Sequence, residues 1–302
     1  MVDISIIIVT YNSVKEISPC LDSIERTRNS INIEIIVVDN ASKDNTLAII
    51  NSNSLQVTLI SNTYNAGFPS ANNQAMSLAK GRYIMLLNPD TILMPEALRT
   101  LLSFMDRNNY CGICGPLLIS ETRKVYRDLR PPSVFYYLMS VFGMEGLLRK
   151  HLPAKNLEVV QGACLVFRQN LISEVGLLDE NLFWCEDMDF CYRVKQKGYK
   201  VCKVSAAQVI HLSGASAKTN AELVIEKQYL SKIKYFKKHA TRIETKMAIV
   251  LFIFQATMRF IKWSSIEIIH PSQDARVRSI TFGRLIREMF VLLLERDQNY
   301  NH

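Results

Sequence analysis

Over its first 118 residues the chain alternates short β-branched runs with amphipathic stretches, and this alternation constrains the fold more than any other feature. Strand-like runs fall at 4–10, 33–38, 56–60, 83–87 and 111–118, with helical patterns near 13–28, 44–52, 69–80 and 95–107. Such alternation predicts an α/β fold, a mostly parallel sheet flanked by helices. Asn40-Ala41-Ser42 and Pro95-Glu96 are helix-start signals. From 119 to 157 the periodicity breaks up around Pro131-Pro132, Gly143, Gly146 and Pro153, as in lids and binding loops. A β run at 158–168, a helical segment ending near Gly176, a helix at 187–197 and a strand at Tyr199–Val204 follow. From 218 onward the pattern is helical to the end.

Charge divides the chain in the same place. The formal charge of +8 splits into 21 Lys/Arg against 20 Asp/Glu over 1–217, and 15 against 8 over 218–302. We therefore expect a catalytic domain at 1–217 and a basic helical region at 218–302. The basic region holds Met247–Phe254, an apolar run continuing through Arg259, Phe260, Ile261, Lys262 and Trp263. Two cations interrupt it, and it is short for a spanning helix, which needs about 20 mostly apolar residues. It reads either as an interfacial helix beside anionic lipid or as a core or dimer-forming helix. Charge interleaved with an apolar run suits a membrane better than a phosphate backbone, so nucleic acid is not expected as a partner. The N-terminus lacks a basic n-region and cleavage site, so it does not read as a signal peptide. The expected location is cytoplasmic, peripheral on the inner face of the cell membrane. Of the seven Cys, Cys111 and Cys114 form the one Cys-x-x-Cys pair, which reads as a buried strand rather than a zinc knuckle.

Phe183-Trp184-Cys185-Glu186-Asp187-Met188-Asp189 puts three carboxylates within four positions among bulky apolar residues. Unpaired charge is costly in such company, which points to chemistry, a metal, or a helix start that uses the acids against its dipole. Asp90 ends the apolar run Tyr83–Pro89, and His211 ends another. Asp90 is either an oxygen ligand for a hard divalent cation or the head of an Asx turn, and His211 either a ligand or a hydrogen-bonded structural residue. Ligands bind at the carboxyl ends of strands in open α/β sheets, so the three segments are expected to share a cleft.

The exits of the first two strands, Thr10-Tyr11-Asn12 and Asp39-Asn40-Ala41-Ser42, would meet if those strands are adjacent and parallel. Tyr11 can then lie along a flat base while Asp39 accepts from a ring N–H, which favours uracil or thymine; alternatively Asp39 or Asn40 caps the next helix. Asn65-Ala66-Gly67-Phe68, followed by Asn72 and Asn73, either approaches a ligand or forms a turn. No Gly-x-Gly-x-x-Gly follows the first strand and no Gly-Lys-Ser/Thr occurs, which disfavours a dinucleotide fold and a P-loop. A nucleotidyltransferase is disfavoured too, since Thr10-Tyr11-Asn12-Ser13 is not a Gly-rich basic loop.

Taken in order, Val9-Thr10-Tyr11-Asn12, Val37–Ser42, Asn65-x-Gly67-Phe68, Leu87-Asn88-Pro89-Asp90, Gly162-Ala163 through Arg168, Gly176-x-x-Asp179-Glu180, Glu186-Asp187-x-Asp189, Gly198-Tyr199 and His211-x-x-Gly214-x-Ser216 resemble the inverting GT-A glycosyltransferases of family 2, especially the rhamnosyltransferase-like bacterial members. The resemblance spans about residues 3–216 and implies a GT-A type sheet with a C-terminal helical extension. It implies that Thr10, Tyr11, Asn12, Asp39, Asn65, Gly67 and Asn88 bind the nucleotide. Asp90 would be the metal-binding end of the family's Asp-x-Asp site, with Asn88 standing at its first position, and His211 a further ligand for Mg²⁺ or Mn²⁺. Asp187 becomes the catalytic base supported by Glu186, with Trp184 and Asp189 at the acceptor and Arg168 structural. Ser70 and Ala75 stand where relatives often carry glycine.

The implied reaction is inverting transfer of a sugar, L-rhamnose from dTDP-rhamnose being the first expectation, to a glycan acceptor linked to a polyprenyl diphosphate. Arg123, Lys124, Arg127 and Arg130 are placed to meet that diphosphate. A UDP-sugar-dependent transferase and a non-catalytic nucleotide- or glycan-binding module are the alternatives. The expected partners are the donor, the acceptor and an anionic membrane surface, with a homo-oligomer open.

Overall fold

The computed structural model describes residues 2–126, 129, 132–141, 144, 159–212 and 221–295. Arg127 and Arg130, and the expected boundary at 217, fall outside them. The chain divides into two compact units, Met1–Pro131 with Ala154–Ala215, and Pro132–Pro153 with Ser216–His302.

The first unit is built on an eight-stranded sheet in the order β3-β2-β1-β4-β7-β6-β8-β5. Its strands are β1 Ile4–Thr10, β2 Ile33–Asp39, β3 Val57–Ser61, β4 Tyr83–Leu87, β5 Thr91–Leu93, β6 Cys111–Ile119, β7 Cys164–Arg168 and β8 Lys200–His211. The helices are α1 Ile17–Thr27, α2 Thr46–Ser52, α3 Phe68–Met76, α4 Ala97–Arg107, α6 Leu171–Val175 and α7 Glu186–Gln196, with α5 Val134–Val141 belonging to the second unit. β1 is buried at all seven positions, as expected of a central parallel strand covered on both faces. Each fully buried Ile along it contributes roughly 1.5–3 kcal/mol. Helix α1 buries Ile17, Cys20, Leu21 and Ile24, and α4 buries Leu98, Leu101, Leu102 and Met105. These spacings lay one apolar stripe of each helix on the sheet.

β3, β2, β1 and β4 run parallel, as do β6 and β8, whereas β7 is antiparallel to both β4 and β6, and β5 to β8. The sheet is therefore mixed, parallel in its first half. Three expectations shift. The run expected at 158–168 contributes only Cys164–Arg168, because Val159 and Val160 are buried outside the ladder. The strand expected to stop at Val204 continues to His211, because β8 bulges between Val204 and Gln208 and then resumes pairing with Leu117. The start signal at Asn40-Ala41-Ser42 opens no helix; α2 starts at Thr46, after Asp44 accepts from the Thr46 and Val14 backbone N–H groups. Cys111 and Cys114 are buried in β6 as the sequence implied.

In the second unit, α8 Ala221–His239, α9 Arg242–Ile269 and α10 Gln273–Leu294 pack with α5 around Tyr137, Tyr229, Phe236, Phe252, Phe282 and Leu285. A capping box at Thr241 and Glu244 starts α9, and the Ser272 hydroxyl caps α10.

Candidate active site

The parallel register of β1 and β2 sets Thr10 opposite Asp39 and brings the two strand tips together. Asp39 is buried, and its carboxylate accepts from the Thr10 hydroxyl at 3.0 Å, the Ser42 backbone N–H at 2.9 Å and the Ser42 hydroxyl at 2.5 Å. The loops interlock: Ser42 Oγ accepts from the Asn12 N–H, and Asn12 Oδ1 accepts from the Lys43 N–H. Asn12 and Ala41 hold this arrangement with φ of 53° and 63°, a left-handed conformation that side chains seldom adopt. Tyr11 remains 43% exposed beside it. Asp39 therefore closes its own loop rather than capping the next helix.

The β2 exit is also tied to the third loop. Asn40 donates to the Gly67 carbonyl at 3.4 Å and accepts from Asn62 at 2.9 Å, while Asn65 Oδ1 accepts from the Gly67 N–H. A Cβ at Gly67 would meet no atom within 4 Å, so its φ of +84° is what requires glycine there. Asn73 faces inward, exchanging hydrogen bonds with the Leu178 backbone and donating to Glu180. That accounts structurally for the Gly176–Glu180 motif. Ala75 packs in the core.

The acidic turn lies against the same loop. Asp187 Oδ2 accepts from the Gly162 N–H at 3.0 Å and Oδ1 from its neighbour Met188 N–H at 2.7 Å. A Cβ placed on Gly162 would lie 3.7 Å from the Phe68 ring and 3.8 Å from the Asp187 carboxylate, so these three groups share one small space. The next residue, Ala163, accepts from the Asn88 N–H, carrying the contact across to β4. Two residues on, Asp90 Oδ1 stands 3.3 Å from His211 Nε2, and the Asp90 carbonyl accepts from the Leu212 N–H. Thr91 pairs with His211 across β5 and β8, and the Tyr126 hydroxyl donates to the His211 carbonyl. A continuous run of contacts thus joins Asp39, Gly67, Gly162, Asp187, Asn88, Asp90 and His211, starting from the carboxyl ends of β1, β2 and β4.

Polar satisfaction differs sharply within this run. Glu186 is nine-tenths buried, and among the described residues its Oε2 finds no hydrogen-bond partner. Burial first, and the Asp187 carboxylate second, push the Glu186 carboxyl well above the usual range, to about 8. Burial also raises Asp187, to about 6, against the two N–H groups that favour its ionised form. The buried Oδ1 of Asn88 is likewise without a partner among the described residues. Trp184, 42% exposed with φ of 75°, caps the turn edge-on to Phe183.

One expected site residue sits elsewhere. Asp189, expected at the acceptor, is fully buried and accepts from Arg193 Nε at 2.8 Å; Arg193 in turn donates to the Val175 and Leu177 carbonyls. Two positions along the helix from Asp187 is a different face, which turns Asp189 into the fold. Arg168 is structural, as expected: it donates to the Cys111, Met105 and Asn108 carbonyls and so secures the end of α4. Sequence reasoning left Ser42, Asn62 and Gly162 without roles. A hydroxyl three residues after Asp39 was a usable turn signal, but nothing local foretold Gly162 N–H reaching Asp187.

Asp90 and His211 supply a hard oxygen and an imidazole nitrogen at one point, a donor set suited to Mg²⁺ or Mn²⁺ when a diphosphate completes the shell. Among the described residues no third His, Cys, Asp or Glu joins them.

Residues 5–176 match the family described as Glycosyl transferase family 2. The poly(ribitol-phosphate) beta-glucosyltransferase of Bacillus spizizenii is 40% identical over 110 residues, 35% of this chain and 17% of that protein. The UDP-Glc:alpha-D-GlcNAc-diphosphoundecaprenol beta-1,3-glucosyltransferase WfgD of Escherichia coli is 30% identical over 135 residues, 44% of this chain and 53% of that one. The alignments thus span about half or less of these relatives. Among solved structures, the mannosyltransferase PcManGT from Pyrobaculum calidifontis, in complex with GDP-Man and Mn²⁺, superposes with a TM-score of 0.57 at 16% identity, covering 96% of this chain and 86% of that one. At that identity the likeness speaks for the fold, which is that of the GT-A glycosyltransferases.

Proposed function

The chain belongs to glycosyltransferase family 2, and from that premise we propose that it transfers a sugar, with inversion, from a uridine diphosphate donor to a hydroxyl of a lipid-linked glycan in bacterial surface-polysaccharide synthesis. One observation carries the reading: Asp187, held by the Gly162 and Met188 N–H groups, belongs to the same run of contacts as Asp39 and Asp90.

The acceptor hydroxyl attacks the anomeric carbon, its proton passes to Asp187, and the bond to the diphosphate oxygen breaks on the opposite face. One base suffices for a single displacement, by the logic of inverting glycoside hydrolysis. A carboxylate raised toward about 6 stays ionised at neutral pH yet is a better base than an ordinary one. Glu186, neutral at that pH, spares the turn a second adjacent negative charge. Asp39 receives the pyrimidine N3–H, with Thr10, Asn12 and Ser42 fixing its carboxylate and Tyr11 lying beside the ring. Asn65, Gly67 and Asn88 line the donor side, and exposed Trp184 offers an apolar wall to a sugar. Asp90 and His211 would hold Mg²⁺ or Mn²⁺, which when bound neutralises charge on the departing diphosphate.

The uridine donor rests on WfgD, whose name specifies UDP-Glc; the rhamnose expectation finds no support among these relatives. The lipid-linked acceptor rests on the same name. Thermal-shift screening of UDP-glucose, UDP-GlcNAc, dTDP-rhamnose and GDP-mannose, with and without Mn²⁺, tests the donor, because a specific ligand raises the melting temperature by mass action. A shift with a uridine sugar, larger with Mn²⁺, is expected; a shift with GDP-mannose alone would reject the pyrimidine reading.

A further inference from the structure

Helix α9 is apolar on two opposite sides. One side buries Ala248, Ile249, Phe252 and Ala256 in the core of the second unit. The other presents Ile243, Met247, Val250, Phe254, Met258, Ile261 and Ile268, each between 48% and 81% exposed. Their spacing of three, four and, at the end, seven residues makes a single stripe running the length of the helix. With about 100° of turn per residue, Lys246 falls on one flank of this stripe and Lys262 on the other, and no acidic residue interrupts it between Met247 and Ile261.

From this geometry we infer that α9 lies in the plane of an anionic lipid surface, its stripe at the acyl boundary and Lys246 and Lys262 at headgroup level. Charge selects this occupant: α8 to α10 and the residues joining them, 221–295, carry 13 Lys/Arg against 7 Asp/Glu. Cations beside a continuous apolar stripe are what an interfacial helix uses. Length and composition would also allow α9 to span a bilayer. Its packing decides against that, because α8 and α10 are fastened along its inner side and hold nine Lys/Arg between them. Crossing would drag those charges into hydrocarbon. The inference does not depend on the transferase reading.

The test is flotation of the full chain with phosphatidylglycerol/phosphatidylcholine vesicles and with phosphatidylcholine vesicles alone. Val250→Asp/Phe254→Asp alters only exposed positions, and its fold is checked by circular dichroism and melting temperature. Lys246→Glu/Lys262→Glu removes the flanking charge and keeps the stripe, so the result does not rest on one variant. We expect the wild type to float at least tenfold better with the anionic vesicles, and each folded variant to lose at least tenfold. Weak flotation of the wild type, or equal flotation of wild type and both variants, overturns the inference. So does light scattering that shows a dimer in solution which Val250→Asp/Phe254→Asp converts to monomer, since the stripe then belongs to a second copy of this chain.

Discussion

At the tip of β1 and β2 the carboxylate of Asp39 accepts three hydrogen bonds, whereas in the first turn of α7 the carboxylate of Glu186 keeps one buried oxygen without a partner among the described residues. Both places concentrate acid where water is scarce. The first is a completed network whose geometry is fixed before any ligand arrives, as suits recognition of a flat base. The second keeps a proton on Glu186 at neutral pH and raises Asp187 above the ordinary carboxylate range, as suits proton transfer. Asp189 sharpens the contrast, because two residues beyond Asp187, in the same first turn, the carboxylate is matched by Arg193 one turn further along the helix.

Four substitutions probe that contrast. Asp187→Asn removes the base while leaving a group that still accepts from Gly162; turnover is expected to fall by roughly 10² to 10⁴ with donor affinity almost unchanged. Wild-type release of nucleoside diphosphate in this variant would end the distinction between the two regions. Asp189→Ala should act on stability instead, costing about 3 kcal/mol by stranding Arg193, read as a lowered urea midpoint. A variant as stable as the wild type but inactive would return Asp189 to the acceptor site. Asp39→Ala leaves the donors of buried Thr10 and half-buried Ser42 unmatched, a loss of about 1–3 kcal/mol accompanied by weaker uridine-nucleotide binding in calorimetry. Unchanged binding would reduce the tip to a structural clasp.

The smallest effect is expected of Glu186→Gln, and it depends on pH. Glu186 and Asp187 titrate above the ordinary carboxylate range in the native state, so that state binds more protons than the unfolded chain between about pH 4 and about 8. Their contribution is therefore fully present below the unfolded values and lost as pH rises through the folded ones. Glu186→Gln should be near neutral at pH 5 and stabilising by about 1 kcal/mol or more at pH 9. Urea unfolding at the two pH values measures it, and an equal effect at both would show that Glu186 carries no raised titration.

Much of this was legible locally. β1 and β4 announced themselves as β-branched and apolar runs, broken in β1 only by Ser5, since a strand buried on both faces has few polar positions to blur its limits. The acids of α7 stood out because charge among Phe183, Trp184 and Met188 is costly unless used. β5, three residues long, was invisible because so short a run carries no periodicity. β8 was cut short because a bulge breaks the alternation that reading depends on.

The sequence by itself determined most of the segments that become strands and helices, and that Asp39, Asp90, Asp187 and His211 would stand at or beside their ends, because hydrophobic period and turn-forming residues are local properties. Tertiary structure alone decided that β7 enters antiparallel and carries the Gly162 N–H to Asp187, that Asp189 turns inward to Arg193, and that α9 keeps one apolar side uncovered. Those outcomes depend on which surfaces meet across large separations in the chain, where burial and hydrogen-bond satisfaction are settled jointly rather than residue by residue.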